Sequence, residues 1–98
     1  MAEKLNVEWS DKAKADLRRI YNSLIQNWSK KYAEQFLDLV FEFENTIIKY
    51  PEAFRKSEKL KGARLGFIHR HTTAVYKIEN HTIFILTLFD NRSEDTFR

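Results

Sequence analysis

The period of the hydrophobic positions changes twice along the chain, and the changes divide it into a strand, two helices and three more strands. Leu5, Val7 and Trp9 alternate with Asn6 and Glu8, the spacing of a short strand. From Ala13 the spacing becomes three and four. Ala13, Leu17, Ile20, Tyr21, Leu24 and Trp28 make one apolar stripe of about five turns. Ser10-Asp11 marks the helix start, with a side-chain oxygen for the free amides and an acid beside the positive helix end. Ser29 supplies a second cap after a very short turn, and Ala33, Phe36, Leu37, Val40, Phe41, Ile47 and Tyr50 carry the stripe to Pro51, which stops it. Two long amphipathic helices with so little chain between them predict an antiparallel αα-hairpin.

Beyond the polar connector 51–63 the period falls to two. Residues 64–71, 73–78 and 82–89 read as three strands with almost nothing between them. In the second run Ala74, Tyr76 and Ile78 share one face, and Val75 and Lys77 the other. The third, Thr82-Ile-Phe-Ile-Leu-Thr-Leu-Phe89, is nearly all apolar and suits a central strand covered on both faces. Glu79, Asn80 and His81 leave room only for a hairpin turn, where Asn tolerates positive φ. The expected fold is α+β: a strand, a long antiparallel αα-hairpin, then a three-stranded antiparallel sheet, in β-αα-βββ order. Whether the first strand pairs parallel or antiparallel is not fixed by the pattern.

Composition narrows the class. With 98 residues and 43% hydrophobic, the chain suits one domain over 1–98 with a modest core. There is no cysteine, which excludes a disulfide framework and thiolate metal sites. The opening Met-Ala-Glu-Lys-Leu-Asn lacks an apolar signal core, and no apolar run approaches the ~20 residues of a membrane span, so a cytoplasmic protein is expected. The net charge of +3 is mild but uneven: residues 1–52 carry −1, and residues 53–98 carry +4 with all three histidines. The C-terminal half therefore suits an acidic partner segment or a polyanion.

The candidate chemistry is sparse. Gly62 and Gly66 are the only glycines, so there is no phosphate-cradling loop, and no cofactor is expected. His69 and His71, spaced i, i+2 on a predicted strand, share a face, but no cysteine or third nearby histidine completes a metal site. Arg64, Arg70 and Arg92 are the other candidates, because guanidinium groups grip phosphate bidentately and stack on bases. Their ordinary reading is ion pairing to Glu79, Asp90 or Glu94, or plain solvation. Tyr76 suits a stacking platform or proton donor, but more naturally fills core space. Trp9 and Trp28 carry the apolar period and read as core.

In order and spacing, several segments resemble the RelE/ParE superfamily, the toxins of type II toxin–antitoxin (plasmid stabilisation) systems. They are Val7-Glu-Trp-Ser-Asp-Lys-Ala13, Asp16-Leu-Arg-Arg-Ile20, Ala33 and Phe36, Tyr50-Pro51, Gly62-Ala-Arg64, Ala74-Val-Tyr-Lys-Ile78, Ile83-Phe-Ile-Leu86 and Asp90-Asn-Arg92. The resemblance covers nearly the whole chain. It implies a bacterial growth inhibitor neutralised by a cognate antitoxin with an acidic, partly disordered segment, in a toxin–antitoxin hetero-oligomer. RelE-like members are ribosome-dependent mRNA endoribonucleases; ParE-like members poison DNA gyrase. Arg92 matches an arginine that the nucleases place after the last strand. Thr73 stands where they often have arginine, and the tail offers Phe97 and Arg98 where they have a tyrosine. Phenylalanine exchanges no proton, so a nuclease would need His69 or His71 in that role. The long hairpin is more similar to the ParE side, which makes gyrase the expected target. A remnant that binds antitoxin without toxicity is the third reading. An apolar groove between hairpin and sheet could accept an amphipathic helix, and an open sheet edge an added strand.

Overall fold

A computed structural model describes residues 5–90. Its elements are β1 (Asn6–Trp9), α1 (Asp11–Asn27), α2 (Lys30–Lys49), β2 (Ala63–His69), β3 (Thr72–Glu79) and β4 (Thr82–Asp90). The strands form one sheet in the order β1-β4-β3-β2, with β1 parallel to β4 and the other pairs antiparallel. The expected α+β order is thus present, and the first strand makes the sheet four-stranded and mixed. The long β1–β4 separation in sequence is what allows a parallel pair. The hairpin between β3 and β4 turns on Asn80, whose φ of 56° is the left-handed conformation that asparagine tolerates.

Ser10 ties the first helix to the sheet. Its hydroxyl oxygen accepts the Ala13 amide at 3.0 Å and donates to the Leu86 carbonyl at 2.7 Å, while its own amide donates to the Ile85 carbonyl. Ser29 caps α2 by accepting the Tyr32 amide at 3.1 Å. Only Trp28 and Ser29 separate the two helices, so they pack antiparallel.

The near-continuous apolar run of β4 has a specific cause. Tyr76 pairs with Ile85 and Val75 with Thr87, so Leu86 is an extra residue in the ladder. One inserted residue reverses the side-chain parity. Ile83, Ile85 and Leu88 therefore all join the helix-side core, while Leu86 and Phe89 join Ala63, Leu65 and Val75 in a second cluster. β4 is central, as its composition suggested.

The bulge is held by a buried charge. Asp16 of α1, 2% exposed, accepts hydrogen bonds from Thr87 Oγ1 at 2.6 Å and the Leu88 amide at 3.1 Å. It also takes Arg19 Nη1 at 2.8 Å and Lys12 Nζ at 3.2 Å. Burial alone would push this carboxyl up. The bonds from Thr87, Arg19, Leu88 and Lys12 outweigh burial and hold its pKa at about 2, against an ordinary 3.8.

Three expectations about the core are corrected. Trp28 is 69% exposed: it lies beyond the last residue of α1, so helical periodicity no longer sets its direction. Leu37, Phe41 and Tyr50 are exposed, and the buried face of α2 is Ala33, Phe36, Val40, Phe43 and Ile47. Phe43, absent from the predicted stripe, meets Phe54 and Tyr76 with ring centroids 5.6 and 6.0 Å apart. Trp9 is half-buried and donates its indole N–H to Glu44 at 2.9 Å. The connector is not merely polar either. Phe54 packs on the core, and residues 55–57 run beside the start of β2, with the Leu65 amide donating to the Arg55 carbonyl at 2.9 Å. Among the described residues, this cover leaves β1 and the far half of β2 as the sheet edges.

Two stability predictions follow from these contacts. A carboxyl depressed from 3.8 to about 2 contributes about 2 kcal/mol, fully present above pH 4 and lost as pH falls through about 2. Urea unfolding across pH should show that acid limb, and Asp16→Asn should lower stability at neutral pH by a similar amount and flatten the limb. An unchanged limb in the variant would assign it to other carboxylates. At Gly66 an added Cβ would collide with the Phe43 ring and press on Phe54 at 3.2 Å. Gly66→Ala should therefore cost on the order of 1–3 kcal/mol, seen as a drop in Tm of several degrees.

Candidate functional site

The sequence candidates fall at opposite ends of β2. Arg64 stands at its start and His69 at its end, five residues or roughly 16 Å apart at ~3.3 Å per residue. Arg64 is engaged in holding the connector. Its guanidinium donates to the Phe54 carbonyl at 2.8 Å and lies 3.5 Å from a Glu52 carboxylate oxygen, rather than pairing with Glu79 or Asp90. Glu79 pairs instead with Lys77 at 3.2 Å. Opposite Arg64 across the ladder, Tyr76 is fully buried and donates its hydroxyl to the Pro51 carbonyl at 2.8 Å. Burial pushes that phenol up to about 12, with Arg64 pulling weakly the other way. Tyr76 is a core residue and offers neither a stacking face nor a proton at neutral pH.

At the other end, His69, Arg70 and His71 form the β2–β3 turn and its entry. The ladder shifts register between Phe67 and His69, so Ile68 is extra. The shift re-aims His69 to the helix side of the sheet, opposite Thr72. His71 is in the turn rather than on a strand, so the two histidines do not share a strand face as expected, although their imidazole centroids are 5.5 Å apart. The His71 amide donates to His69 Nδ1 at 3.3 Å, leaving Nε2 as the protonated nitrogen of the neutral ring. Burial, His71 and Arg70 all lower the pKa of His69 from its ordinary 6.5, so it is neutral at physiological pH. Arg92 lies outside the described residues.

The histidine turn forms one wall of a groove of about 730 Å³ whose other wall is the helical hairpin. Arg19 of α1 and the pair Trp28 and Tyr32, at the tip of the hairpin, face it. The two aromatic rings lie 5.5 Å apart, and Trp28 and Tyr32 are 69% and 55% exposed. Ile20, Leu24, Phe36 and Leu39 give it an apolar lining, to which Asp90 adds a carboxylate. Uncovered Trp and Tyr beside arginine is the composition of protein-binding hot spots. Sequence reading missed Trp28 and Tyr32 as surface residues. The signal was present, since Ser29 is a cap and the residue before a cap lies outside the preceding helix. A second groove of about 500 Å³ runs along β1, lined by Val7, Trp9, Leu17 and Val40 with Glu8, Lys14 and Glu44. Among the described residues no three His, Cys, Asp or Glu side chains are placed to hold a metal ion, and no helix is long and apolar enough to cross a membrane.

Comparison with known proteins places this geometry in a family. The solved structure of the chromosomal ParDE toxin–antitoxin system from P. aeruginosa is similar, with TM-score 0.77, 23% identity, and coverage of 91% of this chain and 98% of that one. The YoeB dimer from Staphylococcus aureus aligns with TM-score 0.58 and 24% identity over 87% of this chain and 94% of that one. The E. coli DinJ–YafQ toxin–antitoxin complex aligns with TM-score 0.64 and 12% identity over 93% and 97%. No curated protein matches the sequence. Residues 7–95 match the family profile of the ParE toxin of the type II toxin–antitoxin system parDE. The chain belongs to the ParE toxin family of type II toxin–antitoxin systems.

Proposed function

We propose that this protein inhibits bacterial growth by binding DNA gyrase, in the cytoplasm, and is silenced by a cognate antitoxin whose acidic, amphipathic segment fills the groove between hairpin and sheet. One observation carries the reading. Arg64 serves the fold at one end of β2, while His69, Arg70 and His71 sit at the other beside exposed aromatics. Such an arrangement suits recognition better than proton transfer, because a nuclease must bring acid, base and phosphate-binding groups within hydrogen-bond reach of one scissile bond. Family membership favours gyrase over the ribosome as target. Similarity to solved toxin–antitoxin complexes supports an antitoxin partner and a hetero-oligomer. In the groove, Ile20, Leu24, Phe36 and Leu39 would take the apolar face of a helix, Trp28 and Tyr32 its anchor, and Arg19 and Arg70 its acids. Among the described residues, the edge of β1 is one place for an added strand.

Expression without the partner tests the target. Growth arrest with altered plasmid supercoiling and intact messages is expected. Arrest with new cuts inside translated messages would overturn the gyrase assignment in favour of a ribosome-dependent nuclease using His69, His71 and Arg92. Absence of arrest at good yield would mark an antitoxin-binding remnant. For the groove, Trp28→Ala should weaken binding of the purified antitoxin by about 2 kcal/mol, roughly thirtyfold in Kd by titration calorimetry, and Arg70→Gln should weaken it less. An unchanged Kd in the Trp28 variant would move the antitoxin off this surface.

A further inference from the structure

We propose that a second copy of this chain docks on the outer face of the helical hairpin, with α1 of each copy lying across α2 of the other. Leu37 and Phe41 of α2 carry the apolar period of the sequence, yet the sheet does not cover them. They are 38% and 65% exposed and stand one helical turn apart. Half-buried Ile48 continues their row two turns further on. The sheet-facing row is Ala33, Phe36, Val40, Phe43 and Ile47, so α2 carries a second apolar row beside the one that the sheet uses. On α1 the matching flank holds half-buried Tyr21 and exposed Ile25. Viewed down each helix from its N-terminus, both rows lie clockwise of the sheet-facing row, and in an antiparallel pair those two sides adjoin. Only Trp28 and Ser29 separate the helices, so residues equally far from that turn lie level, as Leu17 and Val40 do in the groove they line with Trp9. Tyr21, Ile25, Leu37 and Phe41 therefore border one crease along the outside of the hairpin.

Charge selects the occupant. Lys14 and Arg18 stand on the same flank of α1 as Tyr21 and Ile25, and Glu34 and Asp38 stand beside Leu37 and Phe41 on α2. All four are exposed, and none forms an ion pair among the described residues. One border of the crease is thus basic and the other acidic, which makes the face complementary to itself. A two-fold axis running along the crease sets α1 of one copy over α2 of the other, antiparallel, with every residue kept at its level. Arg18 of each copy then meets Asp38 of the other, and the apolar rows of both copies meet in the centre of a four-helix layer. A two-fold axis across the crease would instead stack α1 on α1 and α2 on α2, like charge on like. Tyr32, Phe36 and Leu39, which line the histidine-side groove, lie on the opposite flank of α2, so the dimer leaves that groove open.

Sedimentation velocity of the purified full chain, from about 1 to about 100 μM, tests the contact. A dimer that dissociates on dilution is expected, and Phe41→Glu should raise its dissociation constant by about tenfold or more. Arg18→Glu and Asp38→Arg should each weaken the dimer, and R18E/D38R, which exchanges the two charges, should restore it. All three positions are exposed, and circular dichroism of each variant checks that the fold is kept. A chain that stays monomeric throughout the range overturns the proposal. A dimer indifferent to Phe41→Glu overturns it by placing the contact elsewhere, and one that R18E/D38R fails to restore overturns the crossing of α1 over α2.

Discussion

The fold depends on one buried carboxylate. Asp16 reaches from the second turn of α1 into the bulge of β4, where it takes the hydroxyl of Thr87 and the amide of Leu88. A bulge in a central strand leaves polar groups that the ladder cannot satisfy, and a buried charge needs several donors to be tolerable. Here each solves the other's problem. The same contact fixes α1 against β4, with Ser10 holding the adjacent carbonyls, and so sets the height at which the hairpin crosses the sheet. Lys12 and Arg19 complete the carboxylate's shell from the solvent side, so Arg19 serves both the anchor and the rim of the groove.

Two register irregularities on neighbouring strands shape what the sheet presents. The extra residue at Leu86 turns Leu88 toward the helices, and the extra residue at Ile68 turns His69 the same way. The first builds the core; the second places an imidazole in the groove. Gly66, between them in space, lets Phe43 approach the sheet closely enough to meet Phe54 and Tyr76. β2 thereby has a structural end at Arg64 and an end at His69 that lines the groove.

Similar folds occur in the ParDE, YoeB and DinJ–YafQ structures at low identity, so the scaffold itself does not fix the chemistry. The arginine and tyrosine at the first end of β2 are consumed by hydrogen bonds to the connector, and the exposed aromatics stand at the hairpin tip. A surface built this way rewards shape and charge in a partner.

The sequence by itself determined the elements and their order. Alternation, helical spacing, the serine caps at 10 and 29 and the stop at Pro51 are local signals, set by neighbours within a few residues. It also marked β4 as central and Tyr76 as a core residue. Resemblance in the ordered motifs was enough to point to the toxin superfamily. Tertiary structure alone decided the parallel pairing of β1, the exposure of Leu37 and Phe41, the burial of Phe43 and the separation of Arg64 from the histidines. A helical stripe seen in sequence is wider than the face a helix can bury, so which flank meets solvent depends on where the sheet lies. Asp16 was unreadable for the same reason. Nothing near it in sequence shows that its donors lie 71 and 72 residues away, on a strand whose bulge exists only once the sheet has formed.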